Sequence, residues 1–195
     1  MKPFAESCET NKYPILEVIR NEFSDCNELL EIGSGTGQHA VFFTQALAHL
    51  SWQPSEQKEN LLGIQMWLND FPQPNALAPV ILDVCGKWPN KQFDAAFSAN
   101  TTHIMSWPQV QCLFSGLGHA LKADSPFCLY GPFNFNRQFT SESNALFDQR
   151  LRQRDPKSGI RNFEDLDRLA NDNGLIFKKD YPVPMNNRIL VWVKK

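Results

Sequence analysis

The chain has 195 residues, of which 42% are hydrophobic and 21% are charged, and this balance is typical of an ordered globular protein rather than a disordered chain. Lysine and arginine number 19 against 21 aspartates and glutamates, so the formal net charge is -2. The chain therefore lacks the positive excess with which a dedicated nucleic-acid-binding protein follows a phosphate backbone. Its length suits one α/β domain over residues 1–195.

The N-terminal sequence and the cysteines indicate the cellular compartment in which the protein is expected. Residues 1–14 lack the apolar run of a signal peptide, and no apolar stretch approaches the roughly 20 residues that span a bilayer. The cysteines are odd in number and never spaced as CxxC, which favours free thiols in a reducing compartment. They are Cys8, Cys26, Cys85, Cys112 and Cys128. The sequence therefore predicts a cytoplasmic protein that does not enter membranes.

Helical and extended patterns alternate along the chain. In chain order the predicted segments are a helix at 15–23 with Pro14 in its first turn, a strand at 28–32, a helix at 36–50, a weak strand at 50–53, a helix at 56–71, strands at 78–84 and 93–99, a helix at 108–122, a strand at 127–130, helices at 141–154 and 162–173, the last capped by Asn162 and followed by Gly174, and strands at 175–177 and 189–193.

This alternation predicts a mostly parallel sheet covered by helices on both faces. Because no helix separates the last two strands, the last strand is expected to run antiparallel. The predicted fold is α/β: a three-layer, doubly wound sheet of seven strands. In such sheets ligands bind beyond the carboxyl ends of the strands, where the strand order reverses.

The loop after the first strand carries the clearest functional signal. Glu31, Gly33, Gly35 and Gly37 alternate along this loop, and a predicted helix follows directly. Glycines let the backbone turn sharply and let a ligand approach the main chain where a Cβ would collide. The start of the helix offers free N–H groups to an anionic or hydroxyl-rich ligand. A ligand-binding turn is the interpretation that this pattern favours over a tight turn without a ligand.

Two classes of ligand fit the glycines. A dinucleotide fingerprint G-x-G-x-x-G/A that begins at Gly33 fails, because Gln38 stands where glycine or alanine is needed. The same fingerprint begun at Gly35 is satisfied by Gly37 and Ala40. A nicotinamide dinucleotide therefore stays possible on glycine spacing alone.

The acidic residue before the glycines points to the other class. With Glu31 in place, the pattern E-x-G-x-G-x-G resembles the first motif of class I S-adenosylmethionine-dependent methyltransferases. The resemblance implies that Glu56, or its neighbour Ser55, holds the ribose hydroxyls after the second strand. It also implies that Asp83, followed by Val84, lies beside the adenine amino group, although Asp83 has the alternative of closing a turn. A carboxylate accepts hydrogen bonds from such donors and favours a sulfonium cation.

The ends of the next two strands supply candidate catalytic residues. Residues 93–103 resemble the region of this superfamily that lies over the transferred methyl group, which would place Asn100 and His103 at the reacting centre. Histidine has an ordinary pKa near 6.5, so His103 is a candidate proton acceptor, with a plain loop residue as the alternative. Tyr130, at the end of the next strand, is a candidate for orienting the substrate together with Asn100. Core packing explains an aromatic residue there equally well.

A closer resemblance covers the chain from about residue 5 to its end. The segments SGTGQHAVFF, WQPSE, LYGPF and PMNNRILVW resemble the family of methyltransferase-like protein twenty-six. This likeness implies that Asn11 and Lys12 fold over the edge of the cofactor.

These patterns predict an S-adenosylmethionine-dependent methyltransferase that acts on a small-molecule acceptor. One alternative is a non-catalytic module of the same fold that binds the cofactor or a partner. The other is an NAD(P)-dependent oxidoreductase. No metal is expected, since the histidines show no ligand spacing with cysteines or carboxylates, and the sequence leaves the oligomeric state open.

Overall fold

A computed structural model describes residues 2–195 of the chain. Nine strands are present in the described residues: β1 (Glu28–Ile32), β2 (Ser51–Glu56), β3 (Val80–Ile81), β4 (Ala95–Ala99), β5 (Pro126–Gly131), β6 (Phe133–Asn134), β7 (Arg161–Asn162), β8 (Leu175–Val183) and β9 (Asn187–Lys194). The α-helices are α1 (Glu6–Glu22), α2 (Gln38–Ala46), α3 (Leu61–Asp70), α4 (Trp107–Ala120), α5 (Glu142–Arg154) and α6 (Phe163–Asp172), and a 3-10 helix (Lys58–Asn60) precedes α3. None of the described helices is both long and apolar enough to cross a bilayer.

Seven of the strands form one sheet in the order β3-β2-β1-β4-β5-β9-β8. Neighbouring strands run parallel from β3 to β5, and β9 runs antiparallel to both β5 and β8. The predicted seven-stranded, mostly parallel sheet with an antiparallel last strand is confirmed. Strands β6 and β7 form a separate parallel pair that the sequence analysis did not predict.

The helices cover both faces of the sheet. Successive side chains of a strand point to opposite faces, and in β1 Leu30 packs in one core cluster with Val110 of α4 and Leu166 of α6. Its neighbour Leu29 packs in a second cluster that includes Ile19 of α1 and residues of α2. The predicted three-layer arrangement is therefore present, with α4 and α6 on one side and α1 and α2 on the other.

The first helix begins earlier than predicted. It starts at Glu6, so Pro14 lies inside the helix rather than in its first turn. The polar residues before Pro14 show no apolar periodicity, and the early turns are fixed by tertiary contacts instead. The N–H of Ala5 donates to Oε1 of Gln38 at 2.6 Å, and the buried Asn11 contacts His39.

Other helix and strand boundaries also differ from the predicted ones. Helix α2 is shorter than the predicted 36–50, and β2 extends to Glu56 rather than ending at residue 53. Strand β3 covers only Val80–Ile81 of the predicted 78–84. Asn162 occupies the cap position of α6 without bonding the helix, because its Oδ1 accepts from the N–H of Arg137 instead. Gly174 follows the helix with φ +75°, as predicted.

The prediction of five free thiols is wrong for two of them. Cys85, in the turn after β3, and Cys112, on α4, form a disulfide. They are separated by 27 residues and belong to no recognisable spacing motif, so only the fold brings them together. Cys8, Cys26 and Cys128 are free.

Thiol titration checks this pairing. When the protein is unfolded without reductant, three thiols should react, namely those of the free cysteines. After reduction, all five cysteines of the chain should react. Five reactive thiols before reduction would contradict the disulfide.

Candidate functional site

The loops at the carboxyl ends of the central strands surround a cavity of about 470 Å³. We call it cavity A. Most of its wall is formed by residues 33–36 after β1, 56–57 at the end of β2, 99–101 at the end of β4 and 7–8 of α1. Strands β1 and β4 are adjacent in the sheet although they are not consecutive, so the strand order reverses between them. Cavity A thus lies where doubly wound sheets bind their ligands.

The glycine turn leaves open space at Gly35, whereas a Cβ on Gly33 would meet the side chain of Thr101 at 2.5 Å. Gly33, Gly35 and Gly37 all have positive φ, at +73°, +57° and +92°. A Cβ on Gly37 would meet the backbone of Ile64 at 2.9 Å, whereas a Cβ on Gly35 would meet no atom within 4 Å. Gly37 is therefore needed for packing against α3. Gly35 exposes bare backbone to cavity A, the surface that a ligand needs for close approach.

Glu56 presents a carboxylate next to this bare backbone. Its Oε2 accepts from the N–H of Gly35 at 2.9 Å, and its Oε1 accepts from the N–H of Gln57 at 2.8 Å. Each carboxylate oxygen has further acceptor capacity, and Glu56 lines cavity A. Ser55 is fully buried instead, and its Oγ donates to the carbonyl of Glu31 at 2.6 Å. Of the two residues predicted to hold ribose hydroxyls, only Glu56 reaches the cavity.

Glu31 supports the turn from behind. Its side chain is 2% exposed, and its Oε2 accepts from Oγ of Ser34 at 2.8 Å and from Nε1 of Trp52 at 2.9 Å. Burial raises the pKa of the Glu31 carboxyl to about 7. Glu31 therefore joins the glycine turn to β2 from a position outside the wall of cavity A.

The pH dependence of stability should reveal this buried carboxyl. Because the folded protein holds the Glu31 proton more tightly than the unfolded chain, the contribution of Glu31 to the free energy of unfolding falls as pH rises from 4.5 to above 7. Glu31→Gln keeps an acceptor for Ser34 and Trp52 but cannot titrate. Denaturant unfolding at several pH values should show that the variant loses this fall, which amounts to about 3 kcal/mol at most.

Two buried histidines make the free energy of unfolding rise with pH, both in the wild type and in Glu31→Gln. Burial lowers the pKa of His39 and of His103 to about 4, so each destabilises the fold as pH drops below 6.5. Their contribution cancels in the difference between the wild type and Glu31→Gln. Parallel pH profiles for the two proteins would contradict the raised pKa of Glu31.

The loop after β4 contributes Asn100 to the site. Asn100 has φ +58°, and its N–H donates to the carbonyl of Tyr130 at 2.9 Å. Thr101 fixes the same loop through a 2.7 Å bond between its Oγ1 and Oγ of Ser98. Asn100 lines cavity A and also a second cavity beside it. It therefore stands at the junction of the two cavities.

His103 lies behind this loop rather than on the wall of either cavity. It is 5% exposed, and its ring meets the edge of Phe147 with centroids 5.3 Å apart. Burial, helped by the nearby Arg161, lowers the pKa of His103 to about 4. Arg161 also anchors the loop, because its guanidinium donates to the carbonyls of Thr102 and Met105. A neutral, buried imidazole is a weak base, and proton acceptance by His103 stays a prediction.

A hydrogen-bonded pair that the sequence analysis missed connects α1 with α2. Nε2 of His39 is 2.7 Å from Oδ1 of Asn11. Since an amide oxygen only accepts, this contact places the proton on Nε2 of His39. His39 lines cavity A, and its ring stacks on Phe43. His39 was not predicted as a site residue; the signal available in the sequence was its place in the first turn of the helix after the glycines.

Tyr130 belongs to the neighbouring cavity. It is 4% exposed, and its hydroxyl accepts from Nδ2 of Asn187 at 2.9 Å. Burial raises the pKa of the phenol, against a smaller lowering effect from the amides of Asn11 and Asn187. Tyr130 therefore keeps its proton at neutral pH.

Lys12 is a predicted cofactor residue that does not line cavity A. Its ammonium pairs with the carboxylate of Glu9, which also accepts from Nε2 of Gln38 at 2.6 Å. The Lys12 ammonium also lies 5.0 Å from the centroid of the Phe42 ring. A contact between Lys12 and a cofactor stays a prediction.

Asp83 and Val84 follow the short strand β3. Oδ1 of the exposed Asp83 accepts from the N–H of Cys85 at 3.0 Å and so closes a turn. Val84 is 7% exposed and packs in the core cluster of α4 and α6. Neither residue lines cavity A, so contacts of Asp83 and Val84 with adenine stay predictions.

Comparison with known proteins gives one family and a set of similar folds. The model of the family described as "Protein of unknown function (DUF938)" matches residues 2–194. Among solved structures, the chain is similar to the S-adenosylmethionine-dependent methyltransferase SibL in its apo form, with a TM-score of 0.82 and 15% identity over 96% of this chain and 55% of that chain.

Two further solved structures share this architecture. An O-methyltransferase family protein from Burkholderia thailandensis has a TM-score of 0.85 and 9% identity, over 97% of this chain and 58% of that chain. The mitomycin 7-O-methyltransferase MmcR has a TM-score of 0.84 and 16% identity, over 97% of this chain and 54% of that chain. The chain thus spans a little over half the length of these proteins and has their Rossmann-like methyltransferase fold.

Proposed function

The chain belongs to the family described as "Protein of unknown function (DUF938)", and within that family we propose that it is an S-adenosylmethionine-dependent methyltransferase acting on a small-molecule acceptor. The observation that carries this proposal is the open space at Gly35, directly beside the Glu56 carboxylate. A bare backbone turn next to an acceptor for hydroxyl donors suits a nucleoside with a charged tail. It also lies at the strand crossover where such folds bind ligands.

The residues of cavity A fit S-adenosylmethionine. Glu56 has acceptor capacity for ribose hydroxyls, and its negative charge favours a sulfonium compound. Gly35 gives the ligand access to the main chain, and Asn100 lies where cavity A meets its neighbour. About 470 Å³ falls within the range of small-molecule sites.

The other predicted cofactor residues support this cavity from its surroundings. Three of them hold the turn and β2 in place: Glu31 and Ser55 by hydrogen bonds and Gly37 by its packing against α3. Asn11 fixes His39, which is on the wall. Lys12 is proposed at the edge of the bound cofactor, in line with the resemblance to the family of methyltransferase-like protein twenty-six. Asp83 and Val84 are proposed beside the adenine, in line with the resemblance to class I methyltransferases.

In methyl transfer the main task of the protein is to position the acceptor. S-adenosylmethionine supplies a methyl group already activated by the positive charge on its sulfur. Holding an acceptor in line with such a group accounts for roughly 7–11 kcal/mol of a barrier. Tyr130 and Asn100 are the proposed orienting residues, and His103 is the proposed proton acceptor where the acceptor atom must lose a proton.

The strand order argues against the oxidoreductase alternative. Dinucleotide-binding sheets of the classic type have strands in the order 3-2-1-4-5-6, and they are mostly parallel. Here β9 enters antiparallel between β5 and β8, as in a methyltransferase fold. The glycine spacing from Gly35 is thus the remaining support for an oxidoreductase.

Transfer of a labelled methyl group tests the proposal. The protein is mixed with isotopically labelled S-adenosylmethionine and a metabolite extract from which macromolecules have been removed, and the labelled products are identified by mass spectrometry. We expect label in a small molecule, and less label with Gly35→Leu protein. Cofactor binding without any transfer to this extract would favour the non-catalytic module, and enhanced NADH fluorescence without cofactor binding would favour an oxidoreductase.

A further inference from the structure

A second cavity, which we call cavity B, lies against cavity A. Its volume is about 290 Å³, and it shares Ser7 and Asn100 with cavity A. Its walls come from α1, from Tyr130 near the end of β5 and Pro132 after it, from α5 and from the turn between β8 and β9. A molecule in cavity B therefore reaches the contents of cavity A at the position of Asn100.

The lining of cavity B contains no charged side chain among the described residues. Thirteen residues line it, of which eight carry only neutral hydroxyl or amide groups and five are apolar. Burying an ion away from water is costly unless an opposite charge compensates it. Hydroxyls and amides, in contrast, satisfy the donors and acceptors of a neutral polar molecule.

The Tyr130 hydroxyl is the polar group of cavity B around which the amides of Asn11 and Asn187 lie. The Tyr130 hydroxyl accepts from Nδ2 of Asn187, so its own proton remains available to a ligand. Asn144, which is 5% exposed, fixes the opposite wall because its Nδ2 donates to the carbonyl of Asn186 at 3.1 Å and to Oγ1 of Thr140 at 2.9 Å. The bond to Asn186 holds α5 against the β8–β9 turn, and the bond to Thr140 fixes the segment that leads into α5.

From this lining we propose that cavity B is the acceptor site of the proposed methyltransferase and that it selects an uncharged molecule whose polar group bonds Tyr130. The role of cavity B as the site of the methyl acceptor rests on the proposed function. The preference for neutral molecules rests on the lining alone. Small acceptors that carry a carboxylate, a phosphate or an ammonium group are expected to be rejected, because no residue on the wall balances their charge.

A matched set of phenols tests this selectivity. Para-ethylphenol is neutral, para-hydroxyphenylacetate is an anion and tyramine is a cation, and the three share one ring and side chains of similar size. Binding to the full chain is measured by ligand-observed NMR in the presence of S-adenosylhomocysteine. We expect the neutral phenol to bind at least about tenfold more tightly than either ion.

Asn187→Asp introduces a charge with almost no change in shape. The new carboxylate beside Tyr130 should lower the affinity for para-ethylphenol and raise the affinity for tyramine, each by about tenfold. Asn90→Asp is the control, because Asn90 is exposed and lies outside both cavities, and it changes the net charge equally. This control should bind all three phenols as the wild type does.

Three results would overturn the inference: equal binding of neutral and charged phenols, no binding of any of them at millimolar concentration, or no change of preference in Asn187→Asp. Calorimetry with S-adenosylmethionine on the same proteins separates this outcome from failure of the proposed function. If the protein binds the neutral phenol but not S-adenosylmethionine, cavity B is a site for neutral molecules but is not a methyl-acceptor site.

Discussion

Gly35→Leu is expected to remove measurable binding of S-adenosylmethionine while the protein stays folded. The added side chain has open space, since no protein atom lies within 4 Å of the Cβ position. It would fill the part of cavity A next to Glu56, and affinity should fall by at least about 100-fold because the ligand can no longer approach the backbone. Isothermal titration calorimetry measures the loss.

Gly174→Leu separates this effect from backbone strain. Gly174 also has positive φ, at +75°, and a Cβ there would meet the flexible end of Lys194, far from cavity A. Both variants carry the cost of a left-handed leucine, about 1–2 kcal/mol. Only Gly35→Leu should lose the cofactor, and equal loss in both variants, or full binding by Gly35→Leu, would contradict the proposed role of the turn.

Glu56→Gln is expected to weaken S-adenosylmethionine binding by about 5- to 30-fold. The amide removes the negative charge and replaces one acceptor oxygen by a donor, while the size of the side chain is kept. Charge-assisted hydrogen bonds are worth more than neutral ones by about 1–2 kcal/mol, and each 1.4 kcal/mol is about tenfold in affinity. Calorimetry on the purified variant gives the change in Kd.

The matched control for this charge change is Glu59→Gln. Glu59 lies in the 3-10 helix three positions further on, is exposed, and is outside the wall of cavity A. It should leave the affinity unchanged. If Glu59→Gln weakens binding as much as Glu56→Gln, the effect is one of general electrostatics, and the proposed contact of Glu56 with the ribose is wrong.

The fold could be predicted where burial leaves a simple pattern in the sequence. Strand β1 has the predicted bounds, Glu28–Ile32, because its three apolar residues are buried as in a central parallel strand and a glycine follows directly. The antiparallel last strand followed from the missing helix before it. The start of α1 could not be predicted, since its first turns are polar and are held by contacts such as that of Ala5 with Gln38.

The candidate site could be predicted in part for the same reason. Gly35, Glu56 and Asn100 directly follow or end strands, so local sequence places them at one edge of the sheet. His39 projects from a helix, and its presence on the wall depends on tertiary packing that no local pattern encodes. Asp83 lies two residues beyond the end of β3, where a turn rather than the strand sets its direction.

Calorimetric titration of the wild-type protein with S-adenosylmethionine, and with its demethylated product, is the most direct measurement. The glycine turn and the Glu56 carboxylate predict saturable heat from both compounds at one site per chain. A folded protein that gives no heat with either compound at millimolar concentration would show that cavity A does not hold this nucleoside.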